Sequence, residues 1–188
     1  MILITGGAGF IGSHTALALI ENGYEVLIID NLINSSTESI KAIQKITGKS
    51  VTFLEGDLRN EIFLKTVFDE YQITGVMHFA GVKSVGESNG NPIYYYDNNV
   101  TGTLNLIKEM AKGECRNLIF SSSATVYGEP SELPITENFP LSTTNPYGRS
   151  KLFIEKILCD LKHSNRDWNI VVLRYFNPAG AHASGLLG

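Results

Sequence analysis

The chain has 188 residues, 18% charged and 43% hydrophobic, with a formal net charge of −4. That length reads as one globular domain, and the low charge fraction with nine Phe and eight Tyr excludes a disordered chain. Mild acidity without a Lys/Arg block excludes the electrostatic footprint of a nucleic-acid partner or an anionic membrane surface, and the longest apolar runs fall far short of the ~20 residues that span a bilayer.

Met1 leads directly into an apolar strand over residues 2–5, with no basic region of the kind that opens a signal peptide. Thr5-Gly6-Gly7-Ala8-Gly9-Phe10-Ile11-Gly12 follows. It satisfies both G-x-G-x-x-G (Gly7, Gly9, Gly12) and G-x-x-G-x-x-G (Gly6, Gly9, Gly12), and it opens a helix predicted over 11–21 that ends before Gly23. Glycines at a strand–helix junction permit a tight turn, close approach of a pyrophosphate and flat helix packing, and the helix amides supply donors. A second strand, 25–29, ends at Asp30, about 20 residues past the glycines. A carboxylate there accepts from both ribose hydroxyls and repels a 2′-phosphate, which favours NAD over NADP.

A helix over 37–46 leads to a strand over 51–54 and Gly56-Asp57-Leu58, where an aspartate suits an adenine amino group. Next come a helix over 60–70, a strand over 75–79 and the small residues of Phe79-Ala80-Gly81. One long helix is predicted over 92–112, then a strand over 117–121 ending in Ser121-Ser122-Ser123. An irregular stretch from Gly128 to Asn145 carries Pro130, Pro134 and Pro140; long loops in compact domains are often functional. A helix over 146–163 and a strand over 170–175 complete the order. Asn91-Pro92 and Asn145-Pro146 read as N-cap plus first-turn proline pairs. Continuous apolar strands alternating with helices specify a doubly wound α/β fold, a parallel sheet with helices on both faces. The small-residue tail from Pro178 to Gly188 reads as either a disordered end or the opening of a second domain.

Tyr147 and Lys151 lie four apart at a helix start, on one face. A phenol of pKa about 10 is ionised about once in a thousand at pH 7. A cation about 4 Å away at an effective dielectric near 20 supplies about 4 kcal/mol, an upper bound of roughly three pK units, enough to make Tyr147 a usable base. Ser123, the last of the serine cluster, is placed to hydrogen-bond the oxygen on which Tyr147 acts.

The glycine motif, the serine strand end and Tyr-x-x-x-Lys together resemble the extended branch of the short-chain dehydrogenase/reductase superfamily, a Rossmann-type fold. Gly56-Asp-Leu-Arg-Asn60, His78-Phe-Ala-Gly81, Tyr95-Tyr-Asp-Asn-Asn-Val100, Ser121-Ser-Ser-Ala-Thr-Val-Tyr-Gly128 and Leu173-Arg-Tyr-Phe-Asn-Pro178 are similar to the UDP-glucose 4-epimerase family. The resemblance implies Tyr147 as catalytic base, Ser123 as its hydrogen-bonding partner, and Lys151 as the residue that binds the nicotinamide ribose and depresses the phenol pKa. It implies NAD contacts at Gly6, Gly7, Gly9, Phe10, Ile11, Gly12, Asp30, Asn31, Asn34, Ser35, Asp57, Leu58, Phe79, Ala80, Gly81, Lys83, Asn98, Tyr147, Lys151 and Phe176. Lys83, Ser123, Tyr147 and Asn177 match positions that hold the UDP-sugar, UDP-glucose or UDP-galactose.

It further implies an NAD-binding domain over 1–177 and, over 178–188, the truncated start of a substrate-binding domain, so that these residues alone bind NAD with negligible turnover. Helices matching 92–112 and 146–163 pair across a homodimer in the family. Two other readings stand beside the epimerase. Nucleotide-sugar dehydratases carry an Asp-Glu pair where this chain has Ala124 and Thr125, neither of which transfers the protons of an elimination. A non-catalytic NAD-binding regulatory domain has no need of Tyr147, Lys151 and Ser123, all of which are present. His14, His78, His163 and His182 form no metal spacing and read as core or surface residues; no metal is expected. Tyr94-Tyr95-Tyr96 and Trp168 read as packing, and Arg149 and Ser150 as facing away from the catalytic pair. Cys115 and Cys159 lie in neither a metal nor a redox spacing, which fits a reduced, cytoplasmic compartment.

Overall fold

A computed structural model describes all 188 residues. Six strands form one parallel sheet: β1 Ile2–Thr5, β2 Val26–Asp30, β3 Thr52–Glu55, β4 Gly75–His78, β5 Asn117–Ser123 and β6 Asn169–Tyr175. Their spatial order is β3-β2-β1-β4-β5-β6, so the direction of winding reverses between β1 and β4. In such sheets ligands bind outside the carboxyl ends of the strands at that reversal.

The crossovers are α1 Phe10–Glu21, α2 Glu38–Thr47, α3 Glu61–Glu70, a group of short helices before β5, and α7 Pro146–Ser164. Strand alternation divides the apolar residues between two cores. Leu3, Leu27 and Ile29 face a layer with Leu64, Leu106, Met110, Leu158 and Trp168, whereas Ile4 and Ile28 face one with Ala16, Leu17, Ile20 and Ile43. Both faces are therefore dry over the central strands, which explains why those strands read as unbroken apolar runs, while the edge strands β3 and β6 stay partly exposed. In α7 the Asn145 side chain caps the first turn by accepting from Gly148 N–H at 2.8 Å, as the Asn-Pro pair predicts.

The structure adds detail in three places. The helix predicted over 92–112 runs without interruption but is not regular: α5 Pro92–Tyr96 passes through a π-helical turn, Asp97–Thr101, into α6 Gly102–Lys112. The Gly102 N–H reaches back five residues to the Asp97 carbonyl. Within that turn the Asn99 side chain is spent on the backbone N–H and C=O of Val82 and on Ser150 Oγ, at 2.9, 3.0 and 3.0 Å. Such turns recur at functional sites. Second, α4 Val85–Gly90 forms in a stretch whose two glycines suggest only loop. Its support is tertiary: Ser88 is fully buried, and the Tyr95 hydroxyl donates to Glu87 while accepting from Ser84 N–H. Asn91 precedes Pro92 as expected but makes no capping bond with its side chain. Third, the tail is not a loose end. His182 N–H donates to the Leu187 carbonyl at 2.7 Å, and Leu187 packs into the core beneath α1 and α2.

Candidate active site at the carboxyl edge of the sheet

A cleft of about 480 Å³ opens where the strands end. Its floor is the β1–α1 turn. Gly6 has φ +68°, and a Cβ there would lie 2.5 Å from the Ala80 backbone nitrogen. Turn and β4 end are thus in backbone contact, with no room for a side chain between them. Gly12 is required for a different reason: its Cβ would meet the Gly6 carbonyl oxygen at 2.2 Å, so only glycine lets α1 start so close to the turn. The first turn of α1 carries no acidic residue, leaving its amides and partial positive charge open toward the cleft.

At one end stand two carboxylates. Asp30 accepts from Ala8 N–H at 3.0 Å, Leu32 N–H at 3.0 Å and Ser35 Oγ at 2.8 Å. Asp57 accepts from Arg59 N–H, Nε and Nη2 at 2.9, 3.0 and 2.8 Å, and from Asn31 Nδ2 at 3.0 Å. The Arg59 guanidinium holds the Asp57 carboxyl well below the usual carboxylate range. All four of its lone-pair directions are engaged, which fixes the carboxylate in place at the wall of the cleft.

The other end is drier. Tyr147 and Lys151 rise from α7 beside Ser121, Ser122 and Ser123 at the end of β5. Lys151 Nζ donates to the Ser121 carbonyl at 2.9 Å and lies 4.9 Å from the centre of the Phe120 ring. Burial pushes its pKa down to about 8. Burial pushes the Tyr147 phenol up from its ordinary value, and hydrogen bonding to Ser123 pulls it back. The pKa argument from spacing therefore needs correction. Four-residue spacing does set both side chains on one face, but the ammonium is drawn to the sheet, and the group that favours the Tyr147 phenolate is Ser123.

Beneath them lies His78, fully buried. Its Nε2 lies 2.8 Å from Thr103 Oγ1, whose proton is already donated to the Asn99 carbonyl, so Nε2 carries the hydrogen and Nδ1 accepts from Thr5 Oγ1. Burial, and secondarily the Lys151 charge, drives its pKa down to about 3. On α7, Glu155 accepts from Ser122 Oγ and bidentately from Arg174, whose Nη1 donates to the Tyr127 hydroxyl at 2.9 Å. This pair ties α7 to the ends of β5 and β6, and Tyr127 in turn stacks on Phe176.

The structure brings nearly every expected site residue to this one cleft; Gly7 and Ser35 alone do not line it. A Cβ on Gly7 would strike Ile28 at 2.6 Å, so that glycine serves helix–sheet packing, while Ser35 acts through Asp30. Ile29, Ile33, Tyr175 and Pro178 line the cleft without having been anticipated. Ile33 is an apolar residue just past the end of β2 that the structure leaves 55% exposed. Ser150 does face away from the pair, into a buried bond with Asn99, and Arg149 reaches Tyr96 instead.

The sequence model of the NAD dependent epimerase/dehydratase family matches residues 2–186. The chain is 57% identical over 187 residues to a UDP-glucose 4-epimerase of Dictyostelium discoideum, covering 100% of this chain and 54% of that protein. It is 53% identical to the UDP-glucose 4-epimerase of Bacillus subtilis, covering 100% and 55%. Among solved structures, UDP-glucose 4-epimerase from Bifidobacterium longum in complex with NAD+ and UDP superposes with a TM-score of 0.97 at 55% identity, over 100% of this chain and 56% of that one. The chain thus spans about half the length of the relatives it matches.

Proposed function

The chain belongs to the NAD dependent epimerase/dehydratase family, and from that premise we propose that it is the cofactor-binding and catalytic portion of a UDP-glucose 4-epimerase, interconverting UDP-glucose and UDP-galactose with NAD held throughout. The observation that carries this reading is the meeting of Tyr147, Lys151 and Ser123 in one cleft with the bare glycine turn.

The cleft suits the dinucleotide. The backbone floor at Gly6 and the acid-free start of α1 suit a diphosphate, and Asp30 suits a ribose diol. Lys83 and Lys151 are the only basic residues lining the cleft, and Arg59 is bound to Asp57 and Asp97. Asp30 moreover presents a carboxylate at the ribose end, which repels a 2′-phosphate and supports NAD over NADP. When bound, NAD supplies the two-electron acceptor and donor for C4 of the sugar. Tyr147 takes the proton of the 4-hydroxyl and returns it after the 4-keto sugar has presented its other face. Ser123 is the hydrogen-bonding partner of the Tyr147 phenol, and Lys151 orients the nicotinamide ribose. Protons and electrons taken in the first half are returned in the second, so the reaction is an isomerisation.

Elimination is disfavoured because Ala124 and Thr125, next to Ser123, carry no acid or base. Residues 1–177 form the NAD-binding domain of this proposal, and 178–188 lead toward the portion that holds most of the substrate. Because a near-attack geometry needs that portion, the 188 residues alone bind NAD with negligible turnover. Ile93, 81% exposed, with Phe153 and Leu104 on the neighbouring helices, supports a second copy of the chain as partner. No helix is long and apolar enough to cross a membrane; with the unpaired cysteines, a cytoplasmic location is proposed.

The test is Tyr147→Phe in the full-length protein. UDP-galactose conversion should fall by roughly 10²–10⁴-fold while NAD released on denaturation stays stoichiometric. Unchanged conversion would remove Tyr147 from the chemistry, and a wild type that holds NAD yet converts neither sugar would favour the regulatory-domain reading.

A further inference from the structure

Ser123 ends β5 and is followed by a 3-10 turn, Ala124–Tyr127. Its hydroxyl oxygen accepts from Thr125 N–H at 3.2 Å and from Thr125 Oγ1 at 3.0 Å. A serine oxygen has two acceptor sites, and both are filled by a single neighbouring residue. What remains to Ser123 is its own proton. Thr125 is held in place from the other side as well. A Cβ on Gly148, the residue after Tyr147, would lie 3.0 Å from the Thr125 carbonyl oxygen and 3.3 Å from its Cβ and Oγ1. The first turn of α7 therefore rests directly on Thr125, so one residue touches both the serine and the backbone that carries the tyrosine.

We propose that Thr125 is a positioning residue: by filling both acceptor sites of Ser123 it makes that serine a dedicated donor and turns its proton onto the Tyr147 phenolic oxygen. Accepting two hydrogen bonds polarises an O–H and strengthens what it donates. A donor aimed at a phenolate favours the charged form, opposing the burial that disfavours it. Thr125 thus governs how readily Tyr147 ionises without touching either Tyr147's oxygen or the cofactor. The inference deepens the reading of Tyr147 as base and rests on it.

The experiment reads the phenol directly. Tyrosines labelled at Cζ with 13C are titrated by NMR in the absence of sugar, the Tyr147 resonance being assigned by its loss in Tyr147→Phe. Thr125→Val keeps the shape and the backbone N–H but deletes the hydroxyl. It should move the Tyr147 midpoint up by roughly half to one pH unit, the worth of one hydrogen bond. In the full-length protein kcat at pH 7 should fall about 3–10-fold with KM little changed, and Thr125→Ser should restore both. In a Ser123→Ala background Thr125→Val should have no further effect on the midpoint. Lys151 on α7, Lys83 after β4 and Tyr175 on β6 share this end of the cleft and are untouched by the substitutions, so they cancel between variants.

A midpoint that stays put or moves down would overturn the proposal; the latter would mean that Ser123 spends its proton on Thr125. An equal shift with and without Ser123 would do the same, marking a merely structural role. Should Thr125→Val fold poorly, Thr125→Ala is titrated in its place with the same expectations. A wild type without sugar turnover defeats the epimerase reading but leaves the titration decisive for Thr125.

Discussion

Asp57 and Lys151 stand at opposite ends of one cleft and are held in opposite ways. Asp57 receives four hydrogen bonds from Arg59 and Asn31, remains about a third exposed, and is stabilised as an anion. Lys151 is fully enclosed, donates one bond to a neutral carbonyl, and is destabilised as a cation. Tyr147 and His78 share its situation, with burial as the first cause of both their shifts. An end that only recognises benefits from charges settled in advance, because they need not reorganise on binding. An end that moves protons benefits from groups whose charge is costly in the resting protein, so that small changes in partners shift their ionisation. The comparison predicts large, sign-varied effects at the dry end and small ones at the other.

The largest should come from Glu155. Its carboxylate is 8% exposed and answers a largely buried Arg174. Removing one partner of such a pair leaves a buried charge unanswered, so Glu155→Leu should cost about 3–5 kcal/mol, read from urea unfolding. The double variant Glu155→Leu/Arg174→Met should recover most of that loss, because the burial penalty leaves with the pair. A double variant no better than the single would show that the residues pack for reasons other than charge.

Acid sensitivity is next. His78 has a folded pKa of about 3 against about 6.5 unfolded, so its contribution is complete above pH 6.5 and is lost as the pH falls through the window toward 3. Below about pH 6 the wild type should lose about 1.4 kcal/mol per pH unit relative to His78→Asn, whose amide titrates nowhere in that range. Parallel denaturation curves for the two proteins at pH 7 and 5 would show that another group carries the acid limb.

Lys151→Met should act in the opposite direction. Its pKa is lowered from 10.5 to about 8, which corresponds to about 3 kcal/mol of native-state cost at neutral pH. Deleting the ammonium also orphans the Ser121 carbonyl, worth about 1–2 kcal/mol. The net gain of about 1–2 kcal/mol raises Tm by about 2–8 °C for a domain of this size. The wild type should grow more stable between pH 8 and 10.5, where the unfolded chain still holds the proton and the folded one does not, and the Met variant should not. A variant that melts lower than wild type at pH 7 would place the ammonium among the stabilising groups and undo the contrast.

What was legible in the sequence divides along the same line. The central strands, buried on both faces, must be continuous apolar runs, and the edge strands β3 and β6 keep enough apolar residues to read the same way, so all six were visible, with ends within about two residues of those observed. The glycine turn and Asp30 were visible because a tight backbone approach admits few alternatives. Hidden from spacing was anything decided by where a polar atom finds its partner. The π-helical turn depends on Asn99 meeting Val82 and Ser150, far away in sequence. The direction of Lys151 depends on the Ser121 carbonyl, and the saturation of Asp57 on Arg59 folding back across its own turn. Helical periodicity reports which face a residue occupies, and it is silent on which of several nearby acceptors a flexible ammonium will choose.

The smallest effect is expected at the well-solvated end. Arg59 also donates to Asp97 at 3.0 Å, joining the turn after β3 to the start of the π-helical turn, and the two side chains are 32% and 48% exposed. Water competes for such a pair, and Arg59 keeps its bonds to Asp57 when Asp97 is lost. Asp97→Asn should therefore cost under about 1 kcal/mol, diminishing further in high salt. NAD affinity, measured by titration calorimetry, should change less than twofold, because Asp30 and Asp57 are held by donors that the substitution leaves in place. A tenfold loss of affinity would mean that the bridge to the π-helical turn carries strain from one end of the cleft to the other, and the two ends would then have to be treated as one coupled device.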